Sequence, residues 1–431
     1  MMANDIKSRE IAFLIIKKVL DDGATLDGAI DHYSRDISSK DRGFIRHVCT
    51  TAIRRLGQLD KIINSCTKTK LGNTQMAIRH VLRLGLAQLL FSEVPAHAAV
   101  NTSVELVDKK VSKKLQYLKN TVNAVLRKVD REREELLKKS SNTRLNFPKW
   151  LLQSWDQRYG QSTVKDMLGA MLEEAPLDLS LKPDCDAALW AEKLKGKVVP
   201  DGGVRITKAG KVVEIEGYFD GIWWVQDMAA RIPARLLGLS SGDRVLDLCA
   251  APGGKAAQSA AAGALVTAVD FSTGRMKRLG ENMARLDLKV DVITSDVLTY
   301  APEEKYDYIL LDAPCSSTGT IRRHPEILHI RRKEDVIQMV EIQTKMLDHA
   351  QTLLKEGGVL IYCVCSLEQE EGPDQIKALL ERHGSLKRKE IKLSEMPERD
   401  QAILETGDVQ TLPHYAQGGM DGFFISRIIK T

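Results

Sequence analysis

The fold of this chain is decided by residues 244–255, which spell RVLDLCAAPGGK. The run RVLDLC is apolar and rich in residues that favour a buried strand. A turn of small residues follows, and it opens a stretch with helical periodicity. Glycines in such a turn let backbone N–H groups approach a ligand closely. The stretch therefore predicts a strand, a turn and a helix, with a ligand site at the carboxyl end of the strand.

Four further strand-like runs follow in the chain: residues 266–270, 290–294, 306–311 and 359–363. Stretches with helical patterns separate them. This alternation predicts an α/β fold with a doubly wound, mainly parallel sheet. The turn is not a phosphate-binding P-loop, because Ala256 stands where Ser or Thr would hold magnesium, and it does not spell G-x-G-x-x-G.

Acidic residues follow two of these strands. Asp270 ends the second strand, where a carboxylate in such a fold can accept hydrogen bonds from both hydroxyls of a ribose. Asp296 follows the third strand, at a position suited to accept from an adenine amino group. Either acid alone is also consistent with an N-cap of the next helix. Together with the turn, they predict an adenosine-containing cofactor.

Two cysteines follow the ends of the last two predicted strands: Cys315 in DAPCS, residues 312–316, and Cys365 in VCS, residues 364–366. Because ligands of open α/β sheets bind at strand ends, both thiols are candidate reactive groups. Cys363 is expected to be buried in packing. The chain has seven cysteines and no Cys-x-x-Cys pair, so neither a disulfide framework nor a zinc site is expected.

The first third of the chain differs in both pattern and charge. Residues 1–140 contain 26 Lys and Arg against 16 Asp and Glu, a net charge of +10, whereas the whole chain carries +5. Apolar residues recur at helical spacing, for example at Ala12, Ile15, Ile16 and Val19, which predicts an all-α bundle of five to seven helices. The concentrated positive charge favours a polyanionic partner.

A chain of 431 residues is too long for one ordinary core and predicts two or three domains. We expect a helical domain over residues 1–140, a linker and small α+β subdomain over 141–230, and an α/β domain over 231–431. In the middle segment, residues 177–181 and 212–215 alternate as strands do. The sequence shows no membrane-length apolar run and no signal peptide pattern, which favours a cytoplasmic protein.

Several of these segments resemble known families. Residues 79–91, 94–101 and 120–127 resemble the NusB-type RNA-binding helical domain of antitermination factors. Residues 247–255, together with the two cysteine motifs, resemble the signature of S-adenosylmethionine-dependent RNA cytosine-C5 methyltransferases. With the NusB-like domain in front, the chain is similar to the bacterial small-subunit ribosomal RNA methyltransferases of the Sun/Fmu type. The segments 322–325 and 414–424 match the same family.

The resemblance implies a cofactor, S-adenosyl-L-methionine, and a set of site residues. It makes Cys365 the nucleophile that attacks carbon 6 of the cytosine, Asp312 the acid that contacts N3, and Cys315 the residue linked to product release. Lys255 and the pair Arg322-Arg323 are expected to hold phosphate or to polarise the base. The residues expected to bind the cofactor are Cys249, Ala250, Ala251, Pro252, Gly253, Gly254, Lys255, Asp270, Asp296 and Asp312.

The implied substrate is a specific cytosine of 16S ribosomal RNA, bound partly by the N-terminal domain and removed from its stack to reach the pocket. Two alternatives stay open: methylation of another RNA such as tRNA, and a non-catalytic RNA-binding or antitermination protein. A DNA cytosine methyltransferase is disfavoured, because Glu-Asn-Met at residues 281–283 precedes Pro314-Cys315 where that class has a similar string after it. We expect a monomer without membrane association.

Overall fold

The computed structural model describes residues 2–200, 202–207, 210–396 and 399–431, with side chains from residue 6 onward. The chain forms two compact units. The first comprises Met1–Gln157 and His324–Arg331, and the second comprises Arg158–Arg323 and Arg332–Thr431. The division into domains at residues 140 and 230 stays a prediction. Among the described residues, no helix is both long and apolar enough to cross a membrane.

The first unit is helical, as predicted. Its helices before residue 140 are α1 (Met2–Asp22), α2 (Leu26–Tyr33), α3 (Ser39–Arg54), α4 (Leu56–Cys66), α5 (Met76–Phe91), α6 (Ala96–Lys110), α7 (Lys119–Arg131) and α8 (Arg133–Lys139). These eight helices of the described part exceed the five to seven predicted. The reason is that single residues, Arg55 and Glu132, interrupt what the periodicity presents as continuous helices.

The predicted apolar face of α1 is buried in the core of this unit. Ala12, Ile15, Ile16 and Val19 are completely inaccessible to solvent, as a stripe at positions i, i+3, i+4 and i+7 requires. Thr25 is the N-cap of α2, and its hydroxyl accepts a hydrogen bond from the Gly28 N–H in the first turn. Local sequence and core packing therefore agree in this unit.

A segment from the late part of the sequence belongs to the first unit. In His324–Arg331 the carboxylate of Glu326 accepts a hydrogen bond from the Leu26 N–H at 3.1 Å, and His329 Nε2 lies 2.9 Å from the Ile53 carbonyl. No periodicity in the sequence indicates this association, because it depends on backbone groups at distant positions.

Two more helices belong wholly or mostly to the first unit: α9 (Lys149–Tyr159) and α15 (Ile327–Ile330). The second unit contains two sheets and the other helices. These helices are α10 (Gln161–Met171), α11 (Ala187–Lys193), α12 (Ile232–Arg235), α13 (Gly254–Ala261), α14 (Thr273–Leu286), α16 (Lys333–Ala350) and α17 (Pro373–Arg382). The strands are β1 (Leu177–Leu181), β2 (Lys197–Val199), β3 (Gly203–Ile206), β4 (Trp223–Val225), β5 (Arg244–Leu248), β6 (Leu265–Asp270), β7 (Val290–Thr294), β8 (Tyr306–Asp312), β9 (Leu354–Val364), β10 (Leu386–Arg388), β11 (Val409–Thr411) and β12 (Phe423–Lys430).

The large sheet has the order β10-β12-β9-β8-β5-β6-β7, with β11 paired to β12. The five strands from β5 to β9 are parallel, as predicted. Four of them begin and end within one residue of the predicted positions, whereas β9 begins at Leu354, five residues before the predicted start. Strand β5 lies between β6 and β8, so the chain winds away from it in both directions. This reversal creates a crevice at the carboxyl ends of β5 and β8, where ligands bind in open α/β sheets.

The antiparallel strands at one side of the large sheet are missing from the sequence prediction. Strand β12 runs antiparallel to β9 and carries β10 and β11 as antiparallel neighbours. β10 and β11 have three residues each, too few to establish a period, and in β12 the polar pair Ser426-Arg427 breaks the apolar run, so that no period of two appears. Such short or interrupted runs take their conformation from the neighbouring strand.

The small sheet has the order β2-β3-β1-β4 and is antiparallel. The predicted strand at residues 177–181 is confirmed as β1. The prediction for residues 212–215 is wrong, because Val212–Glu214 forms a 3-10 helix. Residues i and i+3 of a 3-10 helix share a face, so Val212 and Ile215 both pack against the core beside Trp223. The apolar spacing of these residues is compatible with either structure.

Candidate active site

The turn after β5 presents its backbone at the carboxyl end of the strand. The φ angles of Cys249 and Gly253 are 60° and 103°, so both residues lie in the left-handed region. A Cβ atom on Gly253 would lie 2.8 Å from Leu279 Cγ, so this position has room only for glycine. Of the seven residues 249–255 predicted to bind the cofactor, only Pro252 is exposed, so the turn is held tightly against the sheet.

Asp270 lies next to this turn, at the end of β6. Its carboxylate accepts hydrogen bonds from the backbone N–H groups of Ala251 (3.4 Å) and Ser272 (3.0 Å), and Arg275 Nη1 lies 3.3 Å from it. The side chain of Asp270 is only 1% exposed. The carboxylate thus ties the turn to β6, in addition to lying where a ribose was predicted.

Asp296 is exposed and follows β7, at the neighbouring strand end. One carboxylate oxygen accepts from the Leu298 N–H at 2.9 Å, as an N-terminal cap does. Sequence reasoning missed Phe271, whose ring is 72% exposed directly after Asp270. An apolar ring left open to solvent beside a strand-end carboxylate offers a flat surface for a ligand. Its only signal in the sequence is an aromatic residue directly after the acidic one.

An ion pair spans the crevice between β5 and β8. Lys255 Nζ lies 2.6 Å from Asp312 Oδ2, and the Cys363 thiol donates to Asp312 Oδ1 at 3.5 Å. Burial alone would lower the pKa of Lys255, but the Asp312 carboxylate outweighs it and raises the pKa above its ordinary value. Lys255 is therefore a cation whose charge is directed at Asp312. Cys363 is completely buried, as expected.

The two predicted cysteines meet at the ends of β8 and β9. Cys315 Sγ lies 3.4 Å from Cys365 Sγ, and the Ser317 hydroxyl lies 3.6 Å from Cys365 Sγ. The hydrogen bond from Cys315 lowers the pKa of Cys365 despite burial. The same hydrogen bond, together with burial, raises the pKa of Cys315 well above its ordinary value. Of the two thiols, Cys365 is therefore the one that ionises more readily.

A cavity of about 490 Å³ connects these groups. The turn residues 250–255, Asp312 and Cys365 line it on one side. The opposite side is formed by the small sheet, α14 and the chain near β12, through Trp224, Gln226, Asn282, Arg285, Arg323 and Phe423. Neither Asp270 nor Asp296 is among the residues that line this cavity. The cavity is therefore adjacent to the predicted adenosine site and accessible to the nucleophile.

The two arginines predicted to hold phosphate have different environments. Arg322 is 1% exposed and donates to Asp227 at 3.2 Å, so the prediction that it holds a phosphate is wrong. Arg323 lines the cavity and donates to Asp421 Oδ2 at 2.9 Å. The reason is that a 3-10 turn precedes the pair, so adjacent side chains point in different directions. Of the two arginines, only Arg323 lines the cavity.

Asp247 also lines the cavity, and no role was predicted for it. It is 1% exposed, and neither carboxylate oxygen has a hydrogen-bond partner among the described residues. Burial raises its pKa to about 8, against the opposing effect of nearby Lys255. A neutral carboxylic acid therefore lies under the turn near neutral pH.

The arrangement brings together the elements of nucleophilic catalysis on a base. It provides two thiols in contact, one of them with a lowered pKa, a carboxylate held by a buried ammonium, and a cavity of about 490 Å³ beside them. All of these groups lie in the second unit. Glu371, which sequence reasoning also missed, underlies both cysteine loops.

Comparison with known proteins identifies relatives over the whole chain. Residues 234–429 match the family described as 16S rRNA methyltransferase RsmB/F, and residues 6–131 match the NusB family. Ribosomal RNA small subunit methyltransferase B of Serratia proteamaculans is 34% identical over 444 residues, covering 100% of both chains. The protein of the same name from Shigella boydii is 34% identical over 437 residues, covering 98% of each chain.

Solved structures show the same fold. The crystal structure of PH0851 has a TM-score of 0.76 at 22% identity and covers 98% of this chain and 99% of that one. The crystal structure of NSun6 from Pyrococcus horikoshii with SFG has a TM-score of 0.57 at 18% identity, covering 66% of this chain and 98% of the other.

These relationships confirm the resemblance seen in the sequence, a NusB-like helical region followed by a Rossmann-like methyltransferase region. The predicted enzyme class and its cofactor, S-adenosyl-L-methionine, are confirmed as well. The 34% identity with the Serratia protein extends over the full length of both chains. The chain belongs to the ribosomal RNA small subunit methyltransferase B family.

Proposed function

We propose that this protein transfers a methyl group from S-adenosyl-L-methionine to carbon 5 of a specific cytosine in 16S ribosomal RNA, through a covalent bond between Cys365 and carbon 6. The observation that carries the proposal is the 3.4 Å approach of the Cys315 and Cys365 sulfurs beside the Lys255–Asp312 pair. The names of the Serratia and Shigella relatives support ribosomal RNA as the substrate.

The residues at the strand ends fit S-adenosyl-L-methionine. The turn 249–255 brings backbone close to a ligand at Gly253, the ring of Phe271 is exposed for stacking, and Asp296 offers an exposed carboxylate. In the proposal, Asp270 and Asp296 hold the nucleoside. When bound, the cofactor supplies an electrophilic methyl group on a sulfonium.

Cys365 is the proposed nucleophile. Carbon 5 of cytosine reacts with an electrophilic methyl group only after a thiolate has added to carbon 6 and created an enamine. The hydrogen bond with Cys315 lowers the pKa of Cys365 and so favours the thiolate that the addition needs. The Cys365 thiol also lies 3.6 Å from the Ser317 hydroxyl oxygen, and this hydrogen bond lowers its pKa further.

Asp312 is the proposed contact to N3 of the cytosine. Addition of the thiolate places negative charge on N3 and O2, which a proton-donating or proton-sharing group must stabilise. Lys255 supplies the positive charge at 2.6 Å from Asp312, so a proton can be shared between the ammonium, the carboxylate and the base. The ion pair also fixes the orientation of the carboxylate toward the cavity.

Cys315 is the proposed residue of product release. After methyl transfer a water molecule takes the carbon-5 proton, the electrons of that C–H bond re-form the double bond between carbons 5 and 6, and the bond between Cys365 and carbon 6 breaks with its electron pair on the sulfur. The Cys315 thiol, which keeps its proton, donates a hydrogen bond to the departing Cys365 sulfur and stabilises it as a leaving group. Without this donor the covalent complex is expected to persist.

The proposal includes the remaining predictions from the sequence. The basic helical domain, with a net charge of +10 over residues 1–140, binds RNA phosphates and orients the substrate. The target cytosine leaves its stack to enter the cavity. The protein acts as a cytoplasmic monomer, and the domain boundaries lie near residues 140 and 230.

The test is an assay with labelled S-adenosyl-L-methionine and protein-free 16S ribosomal RNA, followed by mapping of 5-methylcytosine. Wild type is expected to methylate a single cytosine, Cys365→Ala to be inactive, and Cys315→Ala to accumulate a covalent complex with RNA that resists denaturing gels. Cys49→Ala, a buried cysteine of the first unit, is the matched control and should behave as wild type.

Two results would contradict the proposal. Methylation by Cys365→Ala at the wild-type rate excludes that residue as the nucleophile. RNA binding by wild type without methylation favours the non-catalytic interpretation, and methylation of tRNA with no activity on 16S RNA favours the other substrate.

A further inference from the structure

The serines that follow the two cysteines converge on one buried carboxylate. Ser316 donates to Glu371 through its backbone N–H at 2.8 Å and through its hydroxyl, and the Ser366 hydroxyl donates to the same carboxylate at 2.5 Å. The two hydroxyl oxygens are 3.1 Å apart. Glu371, Ser316 and Ser366 are completely buried. One side chain thus holds both cysteine loops.

The hydrogen-bond pattern requires Glu371 to be an acceptor. Gln343 Nε2 donates to it at 3.0 Å, in addition to the N–H of Ser316. The Ser366 oxygen accepts from the Glu368 N–H at 3.1 Å, so its own proton is directed to Glu371. Two N–H groups and two serine hydroxyls therefore surround this one carboxylate.

The Glu371 carboxylate lies beside the Cys315 loop, because it accepts from the Ser316 N–H, the backbone amide directly after Cys315. After the hydrogen bond to Cys365 and burial, the negative charge of Glu371 is a further cause of the raised pKa of Cys315. Asp312 and Asp421 oppose a charge on Cys365, and Arg323 interacts favourably with it. Glu371 therefore acts against a thiolate at Cys315.

We propose that Glu371 is a positioning residue that keeps the shared proton of the thiol pair on Cys315, so that Cys365 is the thiolate. The carboxylate does so in two ways: it fixes the two loops through Ser316 and Ser366, and it places a negative charge beside Cys315. The consequence for turnover rests on the proposed function, whereas the location of the proton can be measured without RNA.

The test measures initial rates of alkylation by iodoacetamide at pH 7.5 on the full chain, with each cysteine quantified by mass spectrometry of its peptide. Wild type should react at Cys365 much faster than at Cys315. Glu371→Gln keeps the size of the side chain and removes the charge, and it should reduce the preference for Cys365 by about tenfold, as a relative pKa change of one unit does. Glu368→Gln, a buried carboxylate of the same segment, is the matched control and should keep the wild-type preference.

Further measurements separate charge from packing. Glu371→Asp retains the charge and should preserve the preference for Cys365 better than Glu371→Gln does. An unchanged preference in folded Glu371→Gln, or equal losses in the Gln and Asp variants, would overturn the proposal. Comparable labelling of Cys315 and Cys365 in wild type would also overturn it, even if no Glu371 variant folds. If Cys365 is alkylated selectively but the protein methylates no RNA, the proposed function is rejected and the proposal for Glu371 stands.

Discussion

The ammonium of Lys255 lies 2.6 Å from the Asp312 carboxylate, across the carboxyl ends of the adjacent parallel strands β5 and β8. The lysine opens α13 directly after the turn, and the aspartate is the last residue of its strand. Sheet topology therefore joins two residues 57 positions apart. The pair links the cofactor turn to the proposed contact with the base.

Removal of this ammonium should impair catalysis more than folding. In Lys255→Met the apolar stem is retained, but Asp312 loses the partner that orients it and supplies positive charge. We expect kcat to fall by about 10²- to 10³-fold, as for loss of one preorganised donor. The measurement is single-turnover methylation together with thermal unfolding. Lys277→Met, an exposed lysine on α14, should leave kcat unchanged, and a similar loss in both variants would contradict the prediction.

The turn should not tolerate a side chain at Gly253. Gly253→Ala would force an L residue to φ 103° with its Cβ 2.8 Å from Leu279. We expect a loss of about 1–3 kcal/mol in stability, together with weakened S-adenosylmethionine binding in calorimetry. Gly280→Ala in α14 is the control, because no atom lies within 4 Å of the added Cβ. Equal cofactor affinity in both variants would be inconsistent with the assigned turn.

The buried acid Asp247 should give stability a dependence on pH. Its pKa rises from 3.8 in the unfolded chain to about 8 in the fold because of burial. The folded state thus binds more protons than the unfolded state in this range. The contribution of Asp247 to the free energy of unfolding is therefore fully present below about pH 4, and it is lost as the pH rises to about 8, at about 1.4 kcal/mol per pH unit.

Asp247→Asn is neutral at every pH and should remove this slope. The unfolding temperature of wild type should fall more between pH 6 and pH 8 than that of Asp247→Asn. Asp291→Asn, at an exposed position of β7, should retain the wild-type slope. Parallel curves for wild type and Asp247→Asn would show that the carboxyl group is ionised throughout.

The helical unit should lose stability in acid through His80. The imidazole is buried between Asp21, 3.0 Å from Nε2, and Arg83, 3.1 Å from Nδ1. Burial, followed by the charge of Arg83, lowers its pKa below 6.5. The unfolded chain therefore binds more protons, and stability falls as pH decreases below 6.5.

His80→Asn should reduce the difference in unfolding temperature between pH 7.5 and pH 5, although it lowers both values by removing buried contacts. Circular dichroism at 222 nm measures this, because the first unit is helical. His32→Asn, at an exposed position, is the control. An undiminished difference in His80→Asn would assign the acid sensitivity to other groups.

The main elements of the fold follow from local pattern. The strands β5 to β9 were predictable because each contains a short apolar run between helical stretches, and the buried face of α1 was predictable because a period of 3.6 residues shows which side chains must leave water. Strands β10, β11 and β12 were not, since the first two are too short and the apolar run of the third is broken by Ser426-Arg427. The 3-10 helix at Val212–Glu214 was mistaken for a strand for the same reason.

The sequence by itself determined which reactive and ligand-binding groups lie at the strand ends: the two thiols, Asp312, Lys255 and the glycine turn. Only the tertiary structure decided which of them act together, because charge and hydrogen bonding depend on distance in space. It buried Arg322 with Asp227, left both oxygens of Asp247 without a partner among the described residues, and placed Glu371 under both cysteine loops. Residues far apart in the chain acquire their protonation states from neighbours that only folding supplies.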